Sequence, residues 1–177
     1  MTEHTDPITI RIATPADAAT LTEIARRTFN DTFADQNRAE DMEKYLRETF
    51  GERQQLRELN DPSITTFFAE QNGVAIAYAQ VRSGRASAAV GEGKALEIAR
   101  FYVDRNAHGR GIAQQLMAAV QAHARANDCA LLWLGVWERN ARAIAFYRKC
   151  GFERVGSQPF ILGSDLQTDD LMRAQLA

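Results

Sequence analysis

The chain has 177 residues, 45% of them apolar and 25% charged, and a net charge of −2. This is enough apolar material for one ordinary core, and the lack of a basic excess or basic stripe argues against a nucleic-acid partner. Two cysteines, Cys129 and Cys150, are too few for a disulfide framework or a Cys-based zinc site, and three scattered histidines make no metal cluster. No apolar run approaches the ~20 residues that span a bilayer, and the polar start MTEHTDP carries no secretory leader. The expectation is a cytoplasmic protein with reduced thiols, no metal and no membrane contact.

Residues 8–13 (ITIRIA) alternate like a half-buried strand. Thr14 as N-cap, Pro15 at the first helical position and Asp17 in the first turn then introduce a helix carrying Leu21, Ile24 and Thr28 at helical spacing. A second helix, RAEDMEKYLRETF, places Met42, Tyr45, Leu46 and Thr49 on one stripe. ERQQLRELN is a short helix stopped by Pro62. The period then changes: two strand-like runs flank Asn72-Gly73, a two-residue hairpin signal. SGRASAAVGEGK has no apolar periodicity and predicts a mobile loop.

ALEIARFYV has apolar residues on both alternating sets, as a central strand covered on both faces does. Ile112, Leu116, Val120 and Ala124 mark a helix, ALLWLGVW a buried strand, and NARAIAFYRKC another helix. That last helix predicts a Schellman ending, with Gly151 at C′ and Phe152 beyond it. FERVGSQPF and DDLMRAQLA are weaker final strands. The order predicts one mixed α/β domain over residues 1–177.

His108-Gly109-Arg110-Gly111-Ile112-Ala113 joins a strand to a helix N-terminus, where free amides and the helix dipole favour an anion. Arg105, His108, Arg110, Arg139, Arg142, Arg148 and Lys149 add local positive charge that suits a small anionic ligand. The P-loop pattern fails, because Gly93-Lys94 is followed by Ala95 and has no glycine five positions earlier. A dinucleotide fingerprint needs a third glycine where Gln114 stands, and its acidic partner, Glu138, comes late.

The stretch HGRGIA resembles the phosphate loop, Q/R-x-x-G-x-G/A, of the GCN5-related N-acetyltransferase (GNAT) superfamily, with His108 in place of Gln or Arg. LEIARFYVD before it and NARAIAFYRKCGF after it are similar to further blocks of that family. The resemblance is strong over residues 95–156. It implies a mostly antiparallel central sheet covered by helices on both faces, acetyl-CoA as donor and an amine as acceptor. It also implies that residues 108–113 hold the pyrophosphate, and that the pantetheine arm lies in a gap between strands along Phe101, Tyr102 and Val103. Asn140 and Phe146 join the cofactor contacts, although Asn140 is also a natural N-cap. Tyr147 shares the Asn140 face of its helix and is implied near the thioester sulfur, where a phenol can protonate the departing thiolate. An alkylamine of pKa about 10.4 is neutral in roughly one molecule per thousand at pH 7, so a base is expected, with Glu97 as the candidate. Cys150 has no activating base in view and is read as an apolar filler.

The family places acceptor choice in the first two helices. There Phe29, Asp31 and Phe33, with Asp35, Glu40, Asp41, Glu43 and Tyr45, suit a cationic acceptor. TFNDTFADQN is also similar to bacterial spermidine/spermine acetyltransferases. A homodimer is a family expectation. The alternatives are a non-catalytic acyl-CoA-binding or sensing module, a protein N-terminal or lysine acetyltransferase, and a nicotinamide-binding domain.

Overall fold

The computed structural model describes residues 6–176. A seven-stranded sheet with order β1-β2-β3-β4-β5-β7-β6 organises the chain. The elements are β1 (Thr9–Ile12), α1 (Ala18–Phe33), α2 (Ala39–Thr49), α3 (Glu52–Asn60), β2 (Ile64–Gln71), β3 (Val74–Ser83), β4 (Ala95–Val103), α4 (Ile112–Ala126), β5 (Leu131–Trp137), α5 (Ala141–Lys149), β6 (Glu153–Leu162) and β7 (Asp165–Gln175). Every strand pair is antiparallel except β4 with β5.

The helices lie on both faces. Leu21, Ile24, Phe29 and Phe33 of α1 and Met42 of α2 pack on Phe68, Tyr78 and Trp137 of the sheet. Ile112, Leu116, Val120 and Ala124 of α4, with Tyr147 of α5, cover Ala77, Leu96, Leu132 and Leu134 on the other face. Each four-residue repeat read from the sequence is therefore a buried stripe. Asn72 and Gly73 hold φ of 52° and 75°, the paired left-handed values of a type I′ hairpin turn. At the start of α1, the Asp17 carboxylate accepts from the Thr14 N–H at 2.7 Å, but Pro15–Asp17 forms a 3-10 turn and the α-helix begins only at Ala18.

Two expectations need correction. Residues 84–94 do not behave as an unanchored loop. A 3-10 turn at Ala88–Val90 buries Val90 completely against Leu131, Trp133 and Leu171, and Arg173 Nη1 donates to the Val90 carbonyl at 2.7 Å. Val90 as the buried anchor and a few hydrogen bonds to distant residues leave no periodicity to read. The final strands are also not minor: β6 and β7 run 10 and 11 residues. Pro159 within β6 is tolerated because β6 is the sheet edge. Among the described residues, no helix is long and apolar enough to cross a membrane, and no group of three metal-ligating side chains gathers.

Candidate active site

The site begins where the parallel pairing ends. β4 and β5 pair only at Ala95↔Leu131, Leu96↔Leu132 and Glu97↔Trp133. Beyond that rung β4 stays bonded to β3 and β5 to β7, so the two strands diverge and leave a gap in the middle of the sheet. Two cavities open on this gap. One, of about 670 Å³, runs from the mouth of the gap along the start of α4 and one face of α5. The other, of about 370 Å³, lies under α1 and α2 and reaches across β5 to β6 and β7. Phe101, Tyr102, Asn140, Ala143 and Tyr147 belong to both walls, so the cavities meet there.

The larger cavity is a backbone-lined cradle. Gly109 and Gly111 have φ of 77° and 74°, and an added Cβ at either would project into open space. Left-handed backbone at Gly111, the N-cap of α4, aims the amides of the first turn into the cleft. The amides of Ile112, Ala113 and Gln114 have no partner within the helix by construction; the first bond back to the turn is Gln115 N–H to Gly111 O at 3.2 Å. Such a concave, positively polarised turn fits a diphosphate. Gly109, Gly111, Ile112 and Ala113 all line the cleft, as do His108, Phe101, Tyr102, Val103, Asn140 and Phe146.

Two loop side chains behave differently from the backbone. The His108 ring is engaged by the Val103 carbonyl at 2.8 Å through Nε2, which ties the loop to the end of β4. Arg110 turns away and donates to Gln71 Oε1 at 2.8 Å, outside the cleft wall. Arg110 is not among the residues that line the cleft. Arg142 and Lys149 do face the cleft, from α5.

Helix α5 is pinned at both ends. Asn140 Oδ1 accepts from the Ala143 N–H at 3.2 Å, the N-cap role, which leaves its Nδ2 as a donor at the junction of the cavities. At the far end Phe152 N–H donates to Tyr147 O and Gly151 N–H to Arg148 O, the two bonds of the Schellman motif, with Gly151 at φ 91°. Between them Tyr147 is 7% exposed and ringed by Phe101, Phe146 and Phe152. Burial pushes its phenol well above the ordinary value, so the hydroxyl stays protonated at neutral pH.

The smaller cavity is aromatic on the helix side: Phe29 stacks on Tyr45 at 4.7 Å, and Phe33 meets Trp137 edge-on at 5.8 Å. Phe29 and Phe33 are one helical turn apart and share a face. Asp31 is rotated away from them and lines the larger cavity instead. The acids of α2 are also elsewhere. Asp41 accepts from the Ser164 N–H and hydroxyl at 2.7 Å, clasping the β6–β7 turn. Glu40 pairs with Arg38 and Glu43 with Arg47 on the surface.

Four charged side chains do line the smaller cavity: Arg82, Glu97, Arg100 and Asp169. Arg100 is held in a two-point pair with Glu58, at 2.7 and 3.1 Å, and sits over the Phe50 ring. Glu97 faces Arg82 at 3.6 Å, and burial raises its carboxyl above the ordinary value. Asp169, on β7, is 8% exposed, and no side-chain hydrogen bond or ion pair is formed to it among the described residues, although the Gln158 amide lies near it over Gly135. Burial and the neighbouring Asp170 push its carboxyl up to about 6. Sequence reading missed it; an Asp two residues before Leu171, on the same face of a strand, is a weak local signal.

Residues 20–152 match the Acetyltransferase (GNAT) family. An uncharacterized N-acetyltransferase of the pepI 3' region of Lactobacillus delbrueckii subsp. lactis is 35% identical over 153 residues, covering 86% of this chain and 88% of that one. A spermine/spermidine N(1)-acetyltransferase of Bacillus subtilis is 31% identical over only 62 residues, 34% of this chain and 41% of its own length. Among solved structures, PaiA N-acetyltransferase of Thermoplasma acidophilum, in complex with coenzyme A, superposes with a TM-score of 0.79 at 21% identity, over 96% of this chain and 99% of that one.

Proposed function

The chain belongs to the acetyltransferase (GNAT) family and is an acetyl-CoA-dependent N-acetyltransferase; from that premise we propose that it acetylates a primary amine of a small, cationic, polyamine-like acceptor by direct attack in a ternary complex. The observation that carries the reading is the smaller cavity. It adjoins the cofactor cleft at Tyr147, its helix side is aromatic, and Asp169 in its wall is a carboxylate without a cation. Aromatic faces and an uncompensated carboxylate attract an ammonium. A volume of about 370 Å³ suits a small amine and not a folded polypeptide. The partial likeness to a spermine/spermidine acetyltransferase points the same way.

In this reading the main chain of residues 108–113 takes the pyrophosphate at the positive end of α4. Arg142 and Lys149 draw in the remaining negative charge. Main chain of β4 around Phe101 and Val103, freed from β5, receives the pantetheine arm, with Asn140 Nδ2 as a side-chain donor and Phe146 packing beside it. Tyr147 donates its proton to sulfur as the carbon–sulfur bond breaks. Phe29 and Phe33 hold the methylene chain of the acceptor.

A panel of amines assayed for CoA thiol release tests the proposal. Spermidine, spermine and short diamines are expected to lead. A peptide N-terminus or lysine as the best acceptor would overturn the small-amine reading. Tight acetyl-CoA binding with no acceptor in the panel would favour a sensing module.

A further inference from the structure

We infer that Asp169, carried on β7 and lying over Gly135 of β5, is the group that takes the proton from the acceptor's ammonium, and that Glu97 is a charge-paired wall of the same cavity. This rests on the amine-acceptor reading above.

The placement depends on a glycine. Asp169 pairs in register with Trp137 of β5, and Gln158 of β6 pairs with Asp169. Both side chains extend over β5 at Gly135. A Cβ there would sit 2.6 Å from Gln158 Nε2 and 3.2 Å from Asp169 Oδ2. Any other residue at 135 would take the space they occupy. Because Gly135 has no side chain, a carboxylate from the strand beyond β5 reaches the gap between β4 and β5.

The level along the gap separates the two carboxylates. Glu97 lies on the last rung where β4 and β5 still pair, at the closed end, with Arg82 against it. The Asp169 main chain pairs at the level of Trp137 and its carboxylate lies over Gly135, both beyond the last paired rung, and Asn140 and Tyr147 line the same cavity. An ammonium at the junction of the cavities therefore meets Asp169 on the acceptor side and Tyr147 on the sulfur side. The Asp169 carboxylate opens on the cavity without a paired cation, and a bound ammonium supplies that counter-charge.

The groups around Asp169 are Asp170 on its own strand, held by Arg154 at 2.7 Å, Tyr45 from α2, Glu97 and Arg100 from β4, Arg82 from β3 and Tyr147 from α5. The arginines are each paired, to Glu97 and Glu58. Burial sets the carboxyl near 6, so at neutral pH it is ionised and basic enough to work as a general base.

The step balances as follows. The ammonium gives one proton to the Asp169 carboxylate, leaving a neutral amine and a carboxylic acid. The amine nitrogen forms its bond to the acetyl carbon, the carbon–sulfur bond breaks, and the sulfur takes the Tyr147 proton. The nitrogen loses its second proton, which restores the phenol, and Asp169 releases the first to solvent. The net products are the amide, the thiol and one proton.

The test compares Asp169→Asn, Asp169→Glu and Glu97→Gln with wild type on its best amine from pH 5.5 to 10, with acetyl-CoA affinity measured by calorimetry. Asp169→Asn is expected to keep that affinity and to lose roughly a hundredfold in kcat at pH 7, with the deficit shrinking as pH nears the amine's own pKa. Asp169→Glu, which keeps a carboxylate, should recover part of the rate, and Glu97→Gln, whatever it does to acceptor binding, should not reproduce the pH-dependent kcat deficit of Asp169→Asn. A wild-type profile in Asp169→Asn, a deficit that is constant with pH, or the pH-dependent deficit appearing in Glu97→Gln overturns the inference alone. If Asp169→Asn does not fold, no partial recovery in a folded Asp169→Glu does the same. A wild type that acetylates no amine overturns the acceptor reading and the inference with it.

Discussion

The two cavities share Tyr147 and Asn140, yet their walls have different origins. Apart from one face of α1, the 670 Å³ cleft is made by residues 101–149, and the end proposed for the diphosphate is the turn at Gly109, Gly111 and the start of α4. The 370 Å³ cavity takes side chains from α1, α2, β3, β4, β5, α5, β6 and β7. A main-chain cradle leaves a local pattern of glycines and a helix start. A side-chain cavity depends on which residues distant elements happen to present, so it can change without disturbing the first. The donor half of the site is thereby insulated from changes in acceptor preference.

The largest effect should come where the halves meet. Tyr147→Phe is expected to lower kcat by about 10²- to 10⁴-fold with acetyl-CoA affinity unchanged by calorimetry; unchanged turnover would remove Tyr147 from the proton path. On the acceptor side, Asp169→Asn should exchange function for stability. The folded carboxyl titrates near 6, above its ordinary value. Its stabilising, protonated state is therefore complete at low pH and is lost as pH rises through about 6. Asn cannot ionise, so thermal melts should show the variant more stable by about 2–3 kcal/mol at pH 8 and equal to wild type below pH 4.

On the donor side, Gly111→Asp places a non-glycine residue at φ 74° and an anion at the mouth of the cradle. Acetyl-CoA should bind roughly tenfold or more weakly, and undiminished binding would count against the cradle. The smallest effect separates structure from chemistry at Asn140. Loss of its cap to Ala143 in Asn140→Ala should cost about 1 kcal/mol in denaturant melts, and any further loss in acetyl-CoA affinity measures its second role.

What was legible is local. The hairpin at Asn72-Gly73 and, around the larger cleft, the helix starting after Gly111, the stripe Ile112–Ala124 and the ending at Gly151-Phe152 are each decided by neighbours within a few residues. The corrections share the opposite property. Val90 is anchored by Arg173, 83 positions away, and Asp41 by Ser164, 123 positions away. Asp31 was grouped with Phe29 and Phe33 by composition, but helical rotation sends it to the other cavity.

The sequence by itself determined the strand–glycine–helix unit, the Asn140–Tyr147 face and, through them, the family, since backbone conformation and helical period are short-range properties. Only the tertiary structure decided what fills the acceptor side. The divergence of β4 from β5 after Glu97, the crossing of Asp169 over Gly135 and the pairing of Arg100 with Glu58 join residues far apart in the chain. Their charges and volumes acquire meaning only when the sheet brings them to one cavity.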